Sequence, residues 1–144
     1  MYDPDLVQPM RDEVTRLGVK ELKTPADVEA AVKLPGTTLI FVNSVCGCAA
    51  GGARPGLRTA LMNAKKPKNM FTVFAGMETQ ATEKAREFFK PYRPSSPQIA
   101  LFKDGKLVYM LERHQIENKF ADQIADELSQ AFQRFCAPAS TATA

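Results

Sequence analysis

Residues 37–43 read TTLIFVN, a run that is β-branched or apolar throughout. Such a run suits a strand buried on both faces, and a strand of that kind needs helices above and below it. Pro35-Gly36 turns the chain into this strand, and residues 70–76, MFTVFAG, repeat the pattern. A helix between them, running to about Ala64 and bent at Pro55, makes a β-α-β unit whose strands are parallel with a right-handed crossover. Residues 97–113, PQIALFKDGKLVYMLER, hold two further strands joined at Asp104-Gly105, a strong hairpin signal.

The remaining segments alternate with these strands. Leu6, Val7, Met10, Val14 and Leu17 fall at helical spacing, with Gly18 as the stop. VKEL is a short first strand. Thr24 and Pro25 open a helix to about Leu34, as an N-cap and first helical residue do. TQATEKAREFF forms another helix, and Phe120, Ile124, Leu128, Phe132 and Phe135 line the last one. The fold class expected is α/β: a mixed central sheet, helices on both faces, and an added N-terminal helix. One domain over residues 1–136 accounts for every element, and the small, polar stretch 137–144 is expected to be a disordered tail.

Composition narrows the function. A net charge of +3 over 144 residues, without a basic run interleaved with aromatics, gives no footprint for nucleic acid. The longest apolar run, Leu39 to Val42, is far too short to span a bilayer. The opening MYDPDLVQPMRDEV is amphipathic and contains acids, unlike a secretory signal. With three cysteines, an odd number, the chain is expected in the reducing cytoplasm, where a close pair is more often catalytic or metal-binding than structural.

That pair is Cys46 and Cys48, separated by Gly47, directly after the buried strand. Open α/β sheets place their sites at this carboxyl end. A helix starting near Cys46 puts its sulfur among unpaired N–H groups and at the positive end of the helix dipole, which favours a thiolate. Cys46 is therefore the expected nucleophile and Cys48 the resolving thiol. Residues i and i+2 do not face one another within a helix, so a Cys46–Cys48 bond requires Cys46 just outside it. Gly47 is expected to let the backbone deform, and the closed ring to be strained and easily reduced. Arg54 and Arg58 share one helical face and are expected to be solvated, with added positive potential at the thiols as the alternative. Ala49, Ala50, Gly51 and Gly52 either keep the rim shallow or allow close helix packing. Asn43 is either a polar group near the chemistry or a strand-end cap. A rival reading assembles Cys46, Cys48, His114 and Cys136 as zinc or copper ligands.

The order of elements resembles the thioredoxin fold, and SSPQIALFKDGKLV resembles its segment in which a cis-proline precedes the hairpin. FVNSVCGCAAGGARPGL together with SSPQIALFKDGKLVYMLERHQIE resembles, more narrowly, the bacilliredoxins, over nearly the whole chain. That resemblance implies a cis Pro97 beside Cys46 and a Ser96 backbone free to pair with an extended client, so the substrate-contacting residues expected are Asn43, Gly47, Ser96 and Pro97. It also implies removal of bacillithiol from protein mixed disulfides, with disulfide isomerase activity as a companion. No bound cofactor or metal is expected; bacillithiol is the thiol co-substrate, and the partners are S-thiolated proteins and the bacillithiol-reducing system. Two departures from ordinary thioredoxin stand out: no tryptophan precedes Cys46, and Ile40 stands where thioredoxin carries a buried aspartate.

Overall fold

A computed structural model of the chain describes residues 1–137; apart from Ala137, the stretch expected to be a tail lies outside the described residues. Helix α1 (Pro4–Thr15) leads into the short strand β1 (Lys20–Glu21), helix α2 (Pro25–Val32) and strand β2 (Thr37–Asn43). A π-helical turn (Ala49–Ala53) then runs into α3 (Arg54–Ala60), followed by β3 (Asn69–Phe74) and α4 (Thr79–Phe88). Strands β4 (Gln98–Lys103) and β5 (Lys106–Leu111), the short helix α5 (Arg113–Ile116) and α6 (Ala121–Phe135) complete it.

The five strands form one sheet in the order β1-β3-β2-β4-β5. β2 lies at its centre, parallel to β3 and antiparallel to β4, because the crossover through α3 returns the chain in the same sense and the hairpin reverses it. Alternation along β2 sends Leu39 and Phe41 to one core with α1, α3 and α6, and Ile40 and Val42 to a second core with α2 and α4. That two-sided burial explains the absence of polar alternation in TTLIFVN. At the hairpin, Asp104 and Gly105 both take left-handed φ, 50° and 83°, the twist that matches two antiparallel strands. Thr24 and Asp27 cap α2 reciprocally: the Thr24 hydroxyl accepts from the Asp27 amide at 3.2 Å and the Asp27 carboxylate accepts from the Thr24 amide at 3.3 Å.

Several local expectations are corrected. Leu6 and Phe120 point to solvent; Phe120 is 78% exposed because it precedes the first turn of α6 rather than lying on its inner face. Arg11 is buried in α1 instead, its guanidinium bidentate on Glu78 at 2.9 and 2.6 Å and also held by Glu21, over the ring of Phe74. The helix after the cysteines ends at Ala60, not Ala64. Its disturbance precedes Pro55: proline has no N–H for the Gly51 carbonyl and its ring crowds that group, and the π-helical turn gives the room.

Candidate active site

Strand β2 ends at Asn43, and Cys46 precedes the first helical turn, its carbonyl accepting from the amides of Ala49 (2.9 Å) and Ala50 (3.1 Å). Both Cys46 and Cys48 are half-buried free thiols. The Cys48 amide points at the Cys46 sulfur at 3.4 Å. The Cys48 side chain, foremost, and this amide draw the Cys46 pKa below that of an ordinary thiol; the charge of Arg113 acts in the same direction. Burial pushes the Cys48 thiol up, and the adjacent Cys46 thiolate adds to that effect. The pair is asymmetric: Cys46 ionises first.

The loop between strand and thiol is held from below. Arg54 is only 4% exposed, a correction to its expected solvation. Its guanidinium donates to the Ser44 carbonyl at 2.8 Å and to the Asn43 side-chain oxygen at 3.0 Å, while its Nε pairs with Glu13 of α1. Asn43, 1% exposed, donates in turn to the Met10 carbonyl at 3.1 Å and accepts from the Ser44 amide at 2.9 Å. The Ser44 hydroxyl then accepts from the Cys46 amide at 3.1 Å. The amide of Asn43 is thus committed inward and fixes the loop; it has no surface to offer a client. Arg58 is exposed, on a shallow hollow shared with Glu13, Ala50 and Pro55.

Gly47 is exposed, without a positive φ, and a Cβ built there meets nothing within 4 Å, so the reduced form makes no demand for glycine. Gly52 is different: its Cβ would stand 2.8 Å from the Ile124 side chain of α6. The small residues therefore divide, Ala50 and Gly51 facing solvent and Gly52 serving helix packing.

The Ser96–Pro97 peptide is cis. Val42 pairs with Gln98 across β2 and β4, which sets Pro97 level with Asn43, three residues before Cys46. Arg86 donates to the Ser95 carbonyl at 3.1 Å and Arg113 to the Ser96 carbonyl at 3.2 Å, so two arginines grip this segment. The Ser96 carbonyl thus already accepts one bond and keeps a second lone pair, and the Ser96 amide makes no hydrogen bond among the described residues.

The four proposed metal ligands do not converge. Cys136 is buried beside Thr37 at the start of β2, and six strand steps of ~3.3 Å put it roughly 20 Å from the end where Cys46 lies. His114 is exposed and pairs with Glu112 at 3.1 Å. Among the described residues no three His, Cys, Asp or Glu side chains form a group able to hold a metal ion.

The family described as Disulphide isomerase matches residues 2–136. A bacilliredoxin of Cytophaga hutchinsonii is 54% identical over 132 residues, 92% of this chain and 98% of the relative. Another, of Koribacter versatilis, is 48% identical over 137 residues, 94% of each. The chain belongs to the bacilliredoxin family. Solved structures agree on the fold: a Malassezia sympodialis thioredoxin superposes with a TM-score of 0.58 at 14% identity, over 81% of this chain and 90% of that one. The oxidised thioredoxin of Plasmodium falciparum gives 0.55 at 18% identity, over 83% and 99%. This bacilliredoxin-family protein has the thioredoxin-like fold and is a thiol-disulfide oxidoreductase. Among the described residues no helix is long and apolar enough to cross a membrane.

Arg113 and the buried Arg54 are the site residues that the sequence reading missed or misplaced. Arg113 follows the hairpin's last strand, and its charge acts on the thiols because β4 returns beside β2. Its one sequence signal is its place in the segment resembling bacilliredoxins. For Arg54, a helix position eight residues after Cys46 pointed to the same face but not to its depth.

Proposed function

We propose that this protein removes low-molecular-weight thiols, bacillithiol foremost, from mixed disulfides on cytoplasmic proteins. The observation that supports this most directly is the geometry of the pair: Cys46 stands just ahead of the first helical turn with the Cys48 amide aimed at its sulfur at 3.4 Å, which favours a thiolate there. The Cys46 thiolate attacks the sulfur of the cap. A Cys46–cap disulfide forms, the cap–client bond breaks, and the client leaves as a thiolate that takes a proton from water. The Cys48 thiol loses its proton and attacks the Cys46 sulfur, expelling the cap as a thiolate and closing the Cys46–Cys48 disulfide. The client–cap disulfide has then gained two electrons, one on each sulfur, and the Cys-Gly-Cys has lost two, which an external thiol reductant restores. Ring closure, unlike the reduced form, bends the chain sharply across Gly47, and this is where glycine is needed. Disulfide shuffling, in keeping with the family description, runs through the same Cys46 attack on a client disulfide without net oxidation.

The test uses one client capped with bacillithiol and, separately, with glutathione. Cys48→Ala is expected to remove one cap and accumulate on Cys46 an adduct with the mass of the small thiol. Cys46→Ala is expected to be inactive and Cys136→Ala to match the parent. Cap removal by Cys46→Ala at the parental rate overturns the mechanism.

A further inference from the structure

At the same end of the sheet as the two sulfurs stands the arginine that grips the cis-proline segment. Arg113 begins α5, and its side chain is 45% exposed. Its Nε donates to Glu117 at 3.3 Å and its Nη1 to the Ser96 carbonyl at 3.2 Å. These two bonds orient the guanidinium plane and use two of its five N–H groups, leaving three without a protein acceptor among the described residues. Its bond to Ser96 sets it on the cis-Pro97 segment, level with the end of β2 from which the chain runs to Cys46. Its charge acts on both thiols, so the open donors lie at the end of the sheet where the cap's sulfur must arrive. The other groups nearby do not occupy them. Glu112 is engaged with His114, and the Glu117 contact is a long, exposed pair that a better-placed carboxylate can displace.

We propose that Arg113 determines cap specificity: it binds a carboxylate carried by the low-molecular-weight thiol and so selects acidic caps over uncharged and cationic ones. This rests on the cap-removal reading above. An arginine fork held in one plane matches a carboxylate bidentately, which a lysine cannot do. The cap is favoured over an acidic client side chain because the cap is covalently bound to the reacting sulfur. Its substituents lie within a few bonds of the sulfur that Cys46 attacks, whatever the client.

One client with a single thiol is capped in turn with 3-mercaptopropionate, 2-mercaptoethanol and cysteamine, which differ mainly in charge. Second-order rate constants for cap removal are divided by those with dithiothreitol to correct for intrinsic reactivity. The parent is expected to favour the acidic cap over the neutral one by about tenfold, the usual worth of a charge-assisted pair, with the cationic cap slowest. In Arg113→Gln the ratios among the three normalised rates should collapse toward one, on top of any common slowing from the lost charge near the Cys46 thiolate. Arg113→Lys should keep the order but narrow the spread. Equal slowing of all three caps by Arg113→Gln would mean that the charge only supports the thiolate, and it overturns the proposal, as does a parent indifferent to cap charge. Failure of the cap-removal reading looks different: the parent then removes none of the three.

Discussion

At the residue scale, the S–H of Cys48 is the first reason that the Cys46 thiolate is favoured, ahead of the Cys48 amide and Arg113. A lowered pKa means that the thiolate persists to lower pH. Iodoacetamide labelling of Cys46 should therefore turn on below the pH at which an ordinary thiol reacts, and labelling of Cys48 above it. Cys48→Ala removes the S–H donor, so the midpoint for Cys46 should move up; Cys48→Ser keeps an O–H there and should restore part of the depression. Mass-spectrometric mapping across a pH series reads both, and an unmoved midpoint in Cys48→Ala would refute the donor role.

At the scale of elements, the contact between α3 and α6 sets how the helix behind Cys48 is seated. A Cβ on Gly56 would stand 2.7 Å from the Ile124 side chain and 3.1 Å from the Ala121 carbonyl, whereas on Gly52 it meets chiefly the tip of Ile124. Gly56→Ala should destabilise by about 1–2 kcal/mol, the cost of overpacking reduced by the better helix propensity of alanine. Gly52→Ala should cost less, because a side-chain tip rotates away and a carbonyl does not. Urea midpoints compare them, and Ile124→Val, which removes the Cδ1 that a Cβ on Gly52 would meet, should relieve the Gly52→Ala defect but not the Gly56→Ala one. The legibility of the sequence follows the same division between local and distant causes. β2, β3 and the hairpin were readable because burial on two faces and the Asp104-Gly105 turn write themselves into a few adjacent residues. The cysteine pair was readable for the same reason. The four-residue α5 is too short for a periodic signal, and the π-helical turn arises from a steric conflict at Pro55 rather than from a pattern. Neither the depth of Arg54 nor the approach of Arg113 to Cys46 is local at all: each depends on which elements the sheet order brings together.

On the scale of the whole molecule, α1 is joined to both ends of the structure that carries the site. Met10 and Glu13 hold Asn43 and Arg54, while Arg11 ties the same helix to β1 through Glu21 and to the start of α4 through Glu78. Arg11→Met leaves the largely buried Glu78 carboxylate unpaired, and removing one partner of such a pair costs about 3 kcal/mol. Chemical denaturation should show that loss, and the double variant Arg11→Met, Glu78→Gln should recover part of it; an additive double variant would mean that the pair does not act as one. The third cysteine has a different bearing on the molecule. Cys136 lies at the opposite end of β2 from Cys46, buried and with its thiol pKa raised by that burial. Two half-cystines cannot be bridged across more than about 7 Å between Cα atoms, so the intact protein is unable to join it to either partner of the pair. Any crosslink through Cys136 in an aged or oxidised preparation must have formed between molecules or in a chain that had come apart. It records a loss of the fold, which a bond between Cys46 and Cys48 does not require.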